Sequence, residues 1–94
     1  MQIIKNISPT HFFIYDTFYG GLEVIRLSDC CGYQIQKAYD VNGKGKRYSN
    51  VSHYYVCEQD GEIVDVFRSL KEAKDCAKGC YDMRNREPDH QVKE

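Results

Sequence analysis

The chain has 94 residues, 41% of them hydrophobic and 29% charged, which is the composition of one ordinary globular domain and not of a disordered or fibrous chain. A formal net charge of −1 argues against a strongly basic nucleic-acid binder and equally against a highly acidic mimic of DNA. No apolar run approaches the roughly 18 residues of a membrane span. The opening Met1-Gln2-Ile3-Ile4-Lys5-Asn6 has no signal-peptide character, so a cytoplasmic, intracellular protein is expected.

In chain order, the first half is rich in β-formers. His11-Phe12-Phe13-Ile14-Tyr15-Asp16-Thr17-Phe18 and Leu22-Glu23-Val24-Ile25-Arg26-Leu27 flank Tyr19-Gly20-Gly21, whose glycines suit a tight hairpin. A competing reading starts a short helix at Ser8 with Pro9 in its first turn, but the aromatic and β-branched content favours a strand. Tyr33-Gln34-Ile35-Gln36-Lys37-Ala38-Tyr39 alternates and reads as a third strand. Residues 40–50 form a polar loop. Tyr54-Tyr55-Val56-Cys57-Glu58-Gln59 and Glu62-Ile63-Val64-Asp65-Val66-Phe67 surround Asp60-Gly61, a two-residue hairpin signal that sets Cys57 opposite Val64 and Tyr55 opposite Val66. With neither face cleanly polar, that hairpin is expected inside the sheet or covered on both sides.

Ser69 is a good N-cap with Glu72 at N3, a capping box. Leu70, Ala73, Ala77, Cys80 and Tyr81 then share one helical stripe, and Lys71–Asp75 and Lys78–Asp82 stand at ion-pair spacing. The helix should fade near Arg84 to Arg86, before Pro88. The fold expected is α+β: an antiparallel meander of about five strands with one C-terminal helix packed on one face, a single domain over residues 1–86 and a flexible tail over 87–94.

Five cysteines, an odd number without a secretory signal, are expected as free thiols. Cys57, Cys76 and Cys80 read as small core residues. Neither Cys30-Cys31 nor the four-residue spacing of Cys76 and Cys80 resembles a zinc knuckle, so no metal is expected. Cys30-Cys31-Gly32 with His53 as base is a conceivable nucleophile, but two thiols at a turn is the plainer reading. No other catalytic pattern and no cofactor motif is present, and a non-enzyme is expected. Glu58, Asp60, Glu62 and Asp65 crowd one hairpin end, either a cation site or a charged tip that discourages edge-to-edge pairing.

The best candidate surface is the stretch holding Lys37, Tyr39, Lys44, Lys46, Arg47 and Tyr48. Its cations suit phosphate, its aromatics suit stacking, and Gly43 and Gly45 would offer backbone N–H groups to an anion. The bland alternative is a solvated loop whose lysines keep the protein soluble. A second candidate is the sheet face away from the helix, where surplus aromatics would form a protein-binding patch or a homodimer interface.

The run from Tyr54 to Lys74, Tyr-Tyr-Val-Cys then Gly-Glu-Ile-Val then Ser-Leu-Lys-Glu-Ala-Lys, resembles the hairpin-plus-helix of small phage and mobile-element proteins, anti-CRISPR proteins among them. Three strands followed by a helix also resemble the AP2-like DNA-binding arm of phage integrases. The first resemblance implies an inhibitor that occupies a surface of a host protein or ribonucleoprotein defence complex. The second implies a small nucleic-acid-binding domain that uses a sheet face and the basic loop 42–48.

Overall fold

A computed structural model describes residues 1–84; the anticipated helix end beyond Arg84 and the tail 87–94 lie outside the described residues. The order is β1 (Gln2–Ser8), β2 (His11–Asp16), β3 (Gly20–Arg26), β4 (Gln34–Val41), β5 (Arg47–Cys57), β6 (Ile63–Phe67) and α1 (Leu70–Arg84). All six strands form one antiparallel sheet in sequence order, the anticipated meander with one strand more than expected. The extra strand is β1, and Ser8-Pro9-Thr10 turns it back onto β2 where the competing reading placed a helix start. The Ser8 hydroxyl accepts the Thr10 N–H at 3.2 Å, closing that turn locally.

Register assigns the faces. Ile25 pairs with Lys37 and Lys37 with Tyr54, while Ile35 pairs with Val56, so these residues share the helix-bearing face. Phe12–Val24–Ala38–His53 forms one row of the opposite face and Ile4–Ile14–Leu22–Asp40 another. On the helix side, Ile35, Val56, Ala73 and Ala77 are fully buried, and Tyr54, Phe67, Leu70, Cys76 and Cys80 close around them. The small Ala73 and Ala77 let the helix sit close to the strands. Its start is held by Ser69, whose hydroxyl accepts the Glu72 N–H at 3.2 Å and faces the Glu72 carboxylate. Lys71 and Asp75 pair at 3.0 Å, both well exposed.

The helix covers only part of the sheet. A 15-residue helix is about 22 Å long, whereas the molecule measures 58 × 22 × 22 Å, and α1 packs on β5 and β6. The β1–β3 end therefore lacks a second layer of secondary structure, yet Tyr15 and Val24 there, and Tyr39 and Val41 on the adjoining β4, are all below 9% exposure. The β4–β5 connection supplies part of that cover. Gly45 lies over the Tyr15 ring, Gly43 lies against the Thr17 carbonyl, and Gly20, at φ +77°, lies against the Val41 carbonyl. A Cβ at Gly20 or Gly43 would collide with backbone oxygen, so both hairpin ends approach through bare backbone.

Two register shifts depart from the sequence reading. Cys57 pairs with Ile63, not Val64, across a bulge, and the turn is the four-residue Glu58-Gln59-Asp60-Gly61, with Gly61 alone at positive φ among them. Tyr55 does pair with Val66. The hairpin is not internal to the sheet: β6 is an edge strand, and its Ile63, Val64 and Val66 are exposed. The second shift is larger. Tyr39 pairs with Ser52 but Val41 with Arg47, so residues 48–51 bulge out opposite Asp40 alone. Strand structure thus enters the expected loop from both sides, and the bulge leaves Tyr48 and Val51 in solvent.

Candidate binding surface

The structure divides the six anticipated site residues into two groups. Lys37, Tyr39 and Arg47 meet on the helix-bearing face. The Arg47 guanidinium carbon sits 3.7 Å from the Tyr39 ring centroid, and Lys37 Nζ sits 5.4 Å from it. At their centre is a residue the sequence reading passed over. Glu23, 4% exposed, is held opposite Tyr39 on one side and Phe13 on the other. Arg47 Nε donates to Glu23 Oε1 at 2.6 Å and Nη2 to Oε2 at 3.1 Å, and His11 Nε2 lies 2.7 Å from Oε2. A charged residue inside the apolar run Leu22-Glu23-Val24-Ile25 is the one signal that could have marked it.

The Arg47 hydrogen bonds hold the Glu23 carboxyl below its ordinary 4.5; burial opposes them and His11 adds to them. Glu23 in turn pushes the Arg47 guanidinium up. Because the folded value of Glu23 is the lower one, its stabilisation is fully present above the unfolded value near 4.5. It is lost as pH falls through the lowered value. Over that acidic window the unfolding free energy of Glu23→Gln should decline more gently than that of the native protein. Identical slopes in the two acid titrations would remove Glu23 from the acid response.

Lys44, Lys46 and Tyr48 form the second group, on and just beyond the β4–β5 turn. Asn42 Oδ1 accepts the N–H groups of Lys44 at 2.8 Å and Lys46 at 3.0 Å, and the Asn42 carbonyl accepts that of Gly45 at 2.9 Å. These three donors are spent inside the turn, which corrects the expectation that Gly45 presents its N–H to an anion. What reaches solvent is two ammonium groups and the Tyr48 ring, 69% exposed.

The other constellations resolve into structure. Glu58 pairs with Arg84 at 2.6 Å, and Asp60 and Asp65 accept the backbone N–H groups of Glu62 and Val66. Among the described residues, no three His, Cys, Asp or Glu side chains converge as a cation site. All five cysteines are free thiols, and burial pushes Cys30, Cys57 and Cys76 above the ordinary thiol value, which makes them poor nucleophiles at neutral pH. Cys30 packs into the helix-side cluster whereas His53 lies on the opposite face, its Nε2 3.9 Å from Asp40, so the two do not form a thiol–imidazole pair.

The surface that stands out lies at the two hairpin ends. Phe18 and Tyr19 are 85% and 88% exposed, yet their backbone is fixed: Asp16 Oδ1 accepts the N–H of Phe18 at 2.7 Å and of Tyr19 at 3.2 Å. The Phe18 N–H is the main reason that the Asp16 carboxyl lies below its ordinary value. Tyr19, Gly20, Gly21, Leu22, Asp40, Val41 and Tyr48 line an open recess of about 390 Å³. The recess adjoins the helix-free face, where Leu22 and Ile14 are paired neighbours. Comparison with family models, with curated proteins and with solved structures finds nothing that matches this chain.

Proposed function

We propose that the chain is a non-enzymatic binding protein that acts by occupying a surface of a larger protein or ribonucleoprotein complex, as the small phage inhibitors it resembles do. One observation carries this reading: Phe18, Tyr19 and Tyr48 stand in water, and the backbone of Phe18 and Tyr19 is fixed by hydrogen bonds to the Asp16 side chain. Large aromatics on ordered supports are the usual anchors of protein interfaces, because they bury much area at low entropic cost. Beside them the helix-free face presents Ile14, Leu22 and Phe12, only partly shielded, and Ile4, 60% exposed. This patch and the tips together make the contact surface.

The nucleic-acid alternative is the weaker reading because Arg47 is engaged. With Glu23 taking the Nε/Nη2 edge of its fork and offsetting its charge, Arg47 is a weakened phosphate ligand. Lys37, Lys44 and Lys46 remain, and about three phosphate contacts give a shallow salt dependence, with a log–log slope near −2 to −3. The discriminating experiment is co-purification of the tagged chain from its native host after nuclease treatment. A stoichiometric protein partner that survives nuclease and moderate salt is the expected result. Recovery of nuclease-protected oligonucleotide alone, its binding falling with salt at about that slope, would replace this reading with the nucleic-acid one.

A further inference from the structure

We infer that the recess between the hairpin ends receives a cationic side chain of the partner, an arginine or a lysine. This rests on the protein-binding reading and adds the chemistry of one contact. Tyr19, Tyr48, Leu22, Val41 and the Gly20-Gly21 backbone line the recess, and Asp40 is the single charged residue among them. Aromatic residues beside one carboxylate match a long apolar stem ending in a positive head: the stem lies along Leu22 and the rings, and the head meets Asp40. An anion would face that carboxylate, and a purely apolar side chain would give it no new partner.

Asp40 is available for the role. It is 61% exposed, and its one ion-pair partner among the described residues is His53, at a loose 3.9 Å. Lys44 and Lys46 sit on the adjoining turn but form no ion pair with it; their nearest fixed geometry is the backbone cradle around Asn42. The recess is also built in advance. Gly20 and Gly43 bring the two hairpin ends together through backbone contacts that any side chain would disrupt, and Asp16 fixes the backbone of Tyr19. A preorganised pocket loses little freedom on binding.

The test is a heteronuclear NMR titration of the free protein with N-acetyl-arginine methylamide, with three comparison probes: its uncharged citrulline isostere, adenosine monophosphate and methyl glucoside. Saturable shifts confined to the amides around Tyr19, Gly20, Leu22 and Tyr48 are expected with the arginine compound. Binding should weaken roughly tenfold with citrulline and in Asp40→Asn, whose exposed site leaves folding intact. Absence of saturable shifts, equal binding of citrulline, indifference to Asp40→Asn, or tighter binding of the nucleotide or the sugar would each overturn the assignment. Should it fall while a protein partner still co-purifies, only the recess is misassigned. Arginine binding without any co-purifying partner would instead strike at the broader function.

Discussion

Arg47→Ala is expected to lower the unfolding free energy by about 2–3 kcal/mol, mostly through the charge it leaves behind. Removing one partner of a fully buried ion pair costs about 3–5 kcal/mol. The Arg47 side chain keeps 38% of its surface in water while that of Glu23 keeps 6%, so the penalty falls on the carboxylate and the total is lower. Glu23 would keep only His11 within reach, and Tyr39 would lose the guanidinium stacked on it. Arg47→Lys should recover only part of the loss, because an ammonium cannot hold both carboxylate oxygens and lie flat on a ring at once. Combining Arg47→Ala with Glu23→Gln should cost less than the two single changes summed. Urea unfolding of the four proteins reads this directly, and strict additivity would show that the two side chains do not act as a unit.

The second large effect comes from the glycines, where three positions separate backbone strain from collision. Gly20→Ala is expected to cost about 3 kcal/mol or more, since a positive φ of 77° and a Cβ driven into the Val41 carbonyl act together. Gly61→Ala faces a positive φ of 95° with open space around it, so only the conformational cost of about 1–2 kcal/mol applies. Gly79→Ala meets nothing and lies on the exposed side of α1, so it should stabilise the protein by up to about 1 kcal/mol. The ranking matters more than the values. If Gly20→Ala were no worse than Gly61→Ala, the close approach of the hairpin ends would not contribute to stability.

What the sequence disclosed follows the range of the forces involved. The β4 strand, the Ser69–Glu72 cap and the Ala73–Ala77 stripe are signalled within their own segments and appear in the structure, although β4 is buried on both faces and not alternately. β1 is not marked in the sequence because Gln2-Ile3-Ile4-Lys5-Asn6-Ile7 carries no turn signal of its own, and its strand state is decided by pairing with β2. The bulge at residues 48–51 and the shift at Val56–Cys57 are decided by packing across strands. The same limit governs the site. Lys37, Tyr39 and Arg47 could be grouped by their closeness in the chain, but Arg47 meets Glu23 across 24 residues, and that contact changes it from a free cation into half of an ion pair. Gly20 and Gly43 read as turn residues, whereas their larger role is to let two turns touch.

A structural knot around Glu23 and Arg47 stands apart from the exposed rings of Phe18, Tyr19 and Tyr48, the proposed contact surface. The most direct test is quantitative capture of host proteins with two variants set beside the native chain. One is Phe18→Ala/Tyr19→Ala/Tyr48→Ala, which removes three exposed rings and should leave the melting temperature nearly unchanged. The other is Lys78→Ala, a control on the exposed side of the helix. The native chain and the control should enrich the same protein or assembly, and the triple variant should lose it. Equal enrichment by all three folded proteins would contradict the assignment of function to the hairpin tips.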